Sequence, residues 1–196
     1  MSRARRIAAL VGLLRSLGHE SALVGGVAVS IRARERFTRD IDLAVAVASD
    51  AESESLAFAM QQKGYVLKSV VEQEAKKVLA TLRFCAPASS AREPDVDLLF
   101  ASCGIEPEIV ASATPVEIES GVVVPVARIA HLIAMKILAV REERDQDAGD
   151  LRALLAVASE NEIREAENAL QLIEARGFDR GKQLPEEFRS YCDPGR

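Results

Sequence analysis

The sequence predicts an α/β (α+β) fold in which a mixed β-sheet flanked by helices is followed by a C-terminal helical region. Up to about residue 125, short apolar and β-branched runs alternate with helical patterns, and beyond it the patterns are only helical. Hydrophobic residues make up 48% and charged residues 28% of the chain, which is ordinary for a protein that buries a core. We therefore expect a core over residues 1–125 and a helical region over 126–196 packed on it.

The N-terminal segment is predicted to be an amphipathic helix, because its apolar residues Ile7, Leu10, Val11 and Leu14 recur at helical spacing. The next run, "SALVGG", indicates a short strand over about residues 20–25 that ends at two glycines, and "GVAVSIRAR" is compatible with a helix. "IDLAVAV" is β-branched in part and predicts a second strand.

The following elements continue the alternation as far as the predicted boundary. A helix is expected over "SDAESESLAFAMQQKGY", with Ser49 or Asp50 as its cap and Gly64 at its end. Two strands, "YVLKSVV" and "KKVLATLRF", then a loop "PASSAREP" and a third strand "DVDLLFA" come next. A short helix near 104–111 and a hairpin turning at Ser120–Gly121 precede three predicted helices.

Composition excludes several classes of protein. The three cysteines are widely spaced and form no CxxC or Cys/His cluster, so neither a disulfide framework nor a zinc site is predicted. No apolar run reaches the roughly 18 to 20 residues of a membrane span, and the basic, apolar N-terminus lacks a cleavage site, so we expect a cytoplasmic protein.

The charge distribution is uneven. The net charge is −5, yet eight arginines and only two acids precede Asp40. Such a basic region could hold a polyanion, and it could equally be a solvated helix face.

Two carboxylates, Asp40 and Asp42, lie one residue apart at the start of a predicted strand and therefore share a face. Two such charges repel each other near a core unless a cation lies between them, and Mg²⁺ prefers oxygen ligands of this kind. "DVDLLF" repeats the pattern at Asp95 and Asp97. If the two strands are neighbours, Asp97 can join the first pair to hold two metal ions for phosphoryl-type transfer.

The glycine pair Gly25–Gly26 makes this interpretation more specific. Glycines between a strand and a helix allow backbone amides to approach a phosphate, and a helix N-terminus favours anions. Strand, glycine pair, helix and D-x-D together place a phosphate cradle beside a predicted metal pair.

These motifs resemble those of the polymerase-beta-like nucleotidyltransferase superfamily, in which GG or GS is followed after about a dozen residues by D-x-D. More narrowly, "RFTRDIDL" is similar to the AbiEii-type nucleotidyltransferase toxin family, as are "VDLLF" and the helical segment with a lysine followed by R-x-x-D-x-x-D-L. The resemblance covers roughly residues 20–155 and implies a nucleotidyltransferase core.

The resemblance also implies site residues. Asp40, Asp42 and Asp97 would be catalytic and would bind Mg²⁺, with Asp97 able to ligate metal or to activate the attacking hydroxyl. The nucleotide would be contacted by residues near the glycine pair and on the helical segment: Gly25, Gly26, Thr38, Arg39, Lys136, Arg144 and Asp147, with Asp150 beside them. The residues alone leave two alternatives open, because Lys136 could snorkel from an apolar helix and the two helix acids could favour the macrodipole.

The implied reaction moves a nucleoside monophosphate from an NTP to an acceptor hydroxyl and releases pyrophosphate. By resemblance, the acceptor is a tRNA 3′ end, and the protein is the toxin of a toxin–antitoxin system with a cognate antitoxin. Arg32, Arg34 and Arg36 would then contact the RNA backbone. Transfer to a protein or to an aminoglycoside-like small molecule is the first alternative, and a non-catalytic nucleotide-binding regulator is the second.

Overall fold

The computed structural model describes residues 1–73, 76–87, 94–141 and 145–192. Seven strands of this part form one mixed sheet in the order β3-β4-β5-β2-β1-β7-β6. The strands are β1 (Ser21–Val24), β2 (Ile41–Val45), β3 (Val66–Gln73), β4 (Val78–Cys85), β5 (Asp95–Leu99), β6 (Thr114–Glu119) and β7 (Val122–Val126).

Eight helices in the described ranges cover the sheet and continue beyond it. They are α1 (Arg3–Ser16), α2 (Gly25–Arg32), α3 (Asp50–Gln62), α4 (Glu106–Ser112), α5 (Ile129–Ala139), α6 (Asp145–Val157), α7 (Glu160–Ala175) and α8 (Leu184–Cys192). The predicted α/β class is confirmed.

The centre of the sheet is its most buried part. All four residues of β1 are buried, because α1, α2 and α4 contact this strand while β2 and β7 flank it. The predicted apolar face of α1 packs here through Ile7, Leu10, Val11 and Leu14. The edge strand β3, by contrast, is mostly exposed.

Helix starts follow the capping residues in the sequence. Ser49 accepts a hydrogen bond from the Glu52 amide and caps α3, which selects it over Asp50. Ser159 and Glu162 form a reciprocal capping box at α7. The hairpin β6–β7 turns at Ser120–Gly121, as expected.

The sequence-based expectation of three C-terminal helices was wrong, since the described residues contain four, α5 to α8. Capping and positive-φ residues explain the extra breaks: Ser159 starts α7, and Gly177 and Gly181 lie between α7 and α8 with φ of 70° and 75°. The predicted loop "PASSAREP" lies mostly outside the described residues.

The proposed domain boundary falls at the end of β7. Helix α5 begins three residues later and contacts α2, α6, α7 and α8. The division into 1–125 and 126–196 stays a prediction. Within the described ranges, no helix combines the length and the apolar character needed to cross a membrane.

Candidate active site

The predicted carboxylates meet where β2 and β5 run side by side. These strands are parallel neighbours, and Asp42 lies directly opposite Asp97. Asp40 precedes β2 by one residue and stays partly exposed. Asp95, the other candidate on β5, lies two residues before Asp97 and pairs with Lys68 on β3. The register therefore brings Asp97, rather than Asp95, next to Asp42.

This juxtaposition changes the acidity of Asp42. Burial, together with the negative charges of Asp97 and Asp40, raises the pKa of Asp42 from 3.8 to about 6. Lys136 and the backbone N–H of Gly26, which donates to the carboxylate, act in the opposite direction. The site thus concentrates negative charge that a cation would stabilise.

The glycine pair lies against this carboxylate. Gly25 opens α2 with φ +62°, and a Cβ at this position would overlap the Asp42 carboxylate. A Cβ at Gly26 would overlap the Arg36 guanidinium and approach Thr38 Oγ1 to 2.7 Å. Neither position has room for a side chain, so the backbone at the N-terminus of α2 contacts the Asp42 carboxylate directly.

A cleft of about 520 Å³ opens beside these groups. Most of the predicted site residues line it, and the lining comes from five separate segments of the chain. Its lining residues are Val24, Gly25, Gly26, Arg36, Thr38, Asp40, Asp42, Leu99, Met135, Lys136, Gln146 and Asp147.

Lys136 belongs to a nearly buried charge cluster on the helical side of the cleft. Its Nζ lies 2.7 Å from Asp147 Oδ1 and 2.8 Å from Asp150 Oδ2. Arg36 joins from the loop after α2, with Nη2 donating to Asp150 Oδ2 at 2.8 Å. The Asp150 side chain is only 1% exposed, so this cluster ties the loop and α5 to α6.

Arg83, which the sequence analysis did not select, holds Asp97 from β4. Its Nε and Nη2 donate to the two carboxylate oxygens at 2.7 and 2.6 Å, and Nη2 lies 3.8 Å from Asp40 Oδ2. The bidentate pair raises the pKa of Arg83 and leaves it fully charged. Arg83 is the only charged residue of β4, and a lone charge in an apolar strand is a signal that it needs a partner.

Arg3 is a second residue that the sequence analysis missed. Its guanidinium donates to the backbone carbonyls of Thr38, Arg39 and Asp40 at 2.6, 3.2 and 3.0 Å. It thereby fixes the segment that leads into β2. Thr38 lines the cleft, the nucleotide role predicted for Arg39 stays a prediction, and Arg144 lies outside the described residues.

The predicted RNA-contacting arginines are largely engaged inside the fold. Arg32 donates to the carbonyls of Val126 and Ala127, and Arg36 is bound to Asp150. Only Arg34 of the three is exposed. The RNA contacts of this trio stay a prediction. In the structure Arg32, the last residue of α2, ties that helix to the end of β7, and Arg36 ties the following loop to α6.

The donor set at the cleft fits Mg²⁺. Asp40 and Asp42 supply oxygen ligands, and the pKa of Asp42 is raised by burial and by the nearby charges of Asp97 and Asp40, a repulsion that a divalent cation would relieve. In the described ranges, no three His, Cys, Asp or Glu side chains group closely enough to hold a metal by themselves. Mg²⁺ commonly takes one or two carboxylates and completes its shell with water and substrate phosphates, so the pair is a sufficient protein contribution.

Two solved structures are similar to this chain in fold. An antigenic nucleotidyltransferase-like protein from Paracoccidioides brasiliensis is 17% identical, with 95% of this chain and 91% of that chain covered and a TM-score of 0.51. For the antibiotic-resistance factor ANT(2'')-Ia the identity is 14%, the coverages are 88% and 90%, and the TM-score is 0.53. At these identities the likeness shows the fold, which is that of a nucleotidyltransferase.

The lincosamide antibiotic adenylyltransferase LnuA is more distant. It is 10% identical over 79% of this chain and 97% of that chain, with a TM-score of 0.47. No curated protein is significantly similar to this chain in sequence.

Residues 8–191 match the family model described as "Nucleotidyl transferase AbiEii toxin, Type IV TA system". Because the match spans nearly the whole chain, the protein belongs to the AbiEii nucleotidyltransferase toxin family, and the predicted resemblance is confirmed. The family implies a nucleoside triphosphate substrate and a cognate antitoxin.

Proposed function

We propose that this protein is a Mg²⁺-dependent enzyme that transfers a nucleoside monophosphate from an NTP to the 3′ end of tRNA, acting as the toxin of a toxin–antitoxin system. One observation carries the transfer chemistry. Asp42, flanked by two further carboxylates, faces the glycine-rich N-terminus of α2, and Lys136 lines the same cleft.

Each group has a role that its surroundings support. Asp40 and Asp42 would hold the metal ion, which when bound neutralises charge on the phosphates and polarises them for attack. The backbone of Gly25 and Gly26 can approach phosphate oxygens because no side chain intervenes. Lys136 would contact the triphosphate as a point charge, exchanging part of its ion pair with Asp147.

The reaction itself is a substitution at the α-phosphorus. The acceptor hydroxyl oxygen forms a bond to that phosphorus, the α–β anhydride bond breaks, and pyrophosphate leaves with the bonding pair. The hydroxyl proton passes to a base. We propose that Asp97 ligates the metal ion or activates the attacking hydroxyl. For either role, its carboxylate has to give up at least one of its two hydrogen bonds from Arg83.

The RNA acceptor is proposed from the toxin family to which the chain belongs. Nucleoside triphosphates and tRNA are both abundant in the cytoplasm, and we propose that the enzyme acts there.

Label transfer tests the proposal. The protein is incubated with Mg²⁺, each α-labelled NTP in turn, and one of three acceptors: total tRNA, tRNA with periodate-oxidised 3′ ends, or a cell protein extract. We expect label on intact tRNA only. Label on protein would contradict the RNA acceptor and favour protein nucleotidylation, whereas bound nucleotide without transfer to any acceptor would favour the regulatory alternative.

A further inference from the structure

A second cleft, of about 560 Å³, lies beside the first on the sheet. Leu99 on β5 lines the first cleft, and Thr81, its direct partner on the antiparallel strand β4, lines the second. Directly paired residues of antiparallel strands project from the same face. Thr81 is also two residues from Arg83, a distance of about 7 Å along a strand. The second cleft therefore begins two residues along β4 from the Asp97–Arg83 pair.

The walls of this cleft come from opposite parts of the chain. The ends of β3 and β4 form one wall, and the segment between α7 and α8 forms the other. The lining residues are Val71, Glu72, Gln73, Ala80, Thr81, Ser102, Arg141, Gly177, Asp179, Arg180 and Gly181.

Two of these residues, Arg141 and Arg180, place like charges near each other. Arg180 donates to the Ser102 carbonyl at 2.9 Å, and burial together with the charge of Arg141 lowers the pKa of Arg180. Among the described residues neither guanidinium has a carboxylate within ion-pair distance, whereas the neighbouring Arg176 and Lys182 are paired with Glu108 and Glu187. An anion between Arg141 and Arg180 would offset their repulsion.

The backbone also holds Arg180 in an unusual conformation. Its φ is +59°, a left-handed value that is unfavourable for a non-glycine residue. The segment keeps this conformation between Gly177 and Gly181, and a hydrogen bond from the Gly181 amide to Asp179 Oδ2 braces it.

The remaining charges leave the cleft positive on balance at the α7–α8 side. On that side Asp179 contributes one negative charge against the positive charges of Arg141 and Arg180, and Glu72 lies exposed on the opposite edge strand. Lys76 crosses from the β3–β4 turn, with Nζ 5.9 Å from the Phe178 ring centroid, and adds a third cation beside Gly177.

We propose that this second cleft binds a phosphate group of the acceptor RNA, held between Arg141 and Arg180, while the RNA's terminal hydroxyl lies at the Asp42 cleft. The inference rests on the proposed RNA acceptor and names the surface that positions it. It assigns RNA contacts to a surface separate from Arg32, Arg34 and Arg36, of which Arg32 and Arg36 are engaged within the fold.

The test is a fluorescence anisotropy titration of 5′-labelled tRNA at several salt concentrations. It compares the wild type with Arg141→Gln, Arg180→Gln and the double variant, and Arg164→Gln on the exposed face of α7 removes the same charge elsewhere. We expect the double variant to bind tRNA at least 10-fold more weakly and to lose about 1 from the slope of log K against log salt, the amount for one phosphate contact. Arg164→Gln should stay within 2-fold.

Two further readouts separate the possible failures. Thermal shift with Mg²⁺ and NTP should be the same for all variants, which shows that the fold and the first cleft are intact. If the wild type labels tRNA and the double variant binds tRNA equally well, the cleft assignment is overturned and the proposed function stands. If the wild type neither binds nor labels tRNA, the RNA acceptor fails and the cleft assignment fails with it.

Discussion

At the scale of single residues, the charge of Asp42 lowers the stability of the folded protein and provides a ligand for a cation. Its raised pKa means that ionising this carboxylate is less favourable in the folded, metal-free protein than in the unfolded chain, chiefly because it is buried and secondly because Asp97 and Asp40 lie close. A residue that carried no function would be expected to be neutral here. We therefore interpret the buried carboxylate of Asp42 as a ligand for a cation.

A pH series on Asp42→Asn tests this account in metal-free buffer. Between pH 3.8 and about 6 only the folded wild type keeps the Asp42 proton, so wild-type stability falls relative to the variant as pH rises. The difference should grow by about 1.4 kcal/mol per pH unit and level off near 3 kcal/mol above pH 6.

Urea unfolding at pH 4 to 8 measures that difference. Asp145→Asn, which removes an exposed carboxylate at the start of α6, is the matched control and should give an offset under about 1 kcal/mol at every pH. If the difference in unfolding free energy between Asp42→Asn and the wild type did not change with pH, the pKa of Asp42 would not be raised in the folded protein, which would contradict the account.

Gly25 provides a second residue-scale prediction. Gly25→Ala puts a methyl group against the Asp42 carboxylate at φ +62°, so we expect a loss of about 2 kcal/mol in unfolding free energy and no nucleotide-induced thermal shift. Gly12→Ala is the control, because a Cβ there meets no atom within 4 Å. Inside α1 it should stabilise the protein by up to about 1 kcal/mol. Equal behaviour of the two variants would contradict the close approach of α2 to Asp42.

At the scale of elements, the register between β4 and β5 decides how Asp97 is held. Arg83 faces Asp97 directly, and the Asp97 side chain is 11% exposed. Lys68 and Asp95 form a comparable pair two residues along β5, but it is more open to solvent. The two pairs therefore differ in the burial of the acid and in geometry, since Arg83 donates to both carboxylate oxygens and Lys68 to one.

Arg83→Gln should cost about 2 kcal/mol of unfolding free energy, less than the 3–5 kcal/mol of a fully buried pair because Arg83 is partly exposed. Lys68→Gln should cost under about 1 kcal/mol. Chemical denaturation at pH 7 compares them directly. Equal losses would mean that Asp97 does not depend on Arg83.

At the scale of the whole molecule, the sequence predicted the parts of the site that rest on local pattern. Strand alternation put Asp40 and Asp42 on one face, and the glycine pair identified the start of α2. The alternative that Lys136 merely snorkels is disfavoured by its buried pairing with Asp147 and Asp150. The α1 face and the Ser120–Gly121 turn were also local features.

The remaining features depend on contacts between distant segments. Arg83 matters only because of the β4–β5 register, and Arg3 acts on carbonyls 35 to 37 residues away. Charge counting identified Arg32 and Arg36 but does not reveal that Arg32 bonds to carbonyls at the end of β7 and Arg36 to Asp150 on α6. Arg141 and Arg180 come together only when the segment between α7 and α8 reaches the sheet.

The most direct test of the central claim, that the Asp42 cleft performs nucleotidyl transfer, is the transfer rate of Asp42→Asn beside Asp95→Asn. Each removes one carboxylate near the start of one of the parallel neighbours β2 and β5, but only Asp42 lines the cleft. At saturating NTP and acceptor, the account predicts a loss of about 1,000-fold for Asp42→Asn, equal to about 4 kcal/mol of barrier. Asp95→Asn should stay within about 3-fold, as expected for an exposed ion pair. Retained transfer in Asp42→Asn, or equal losses in both, would contradict the account.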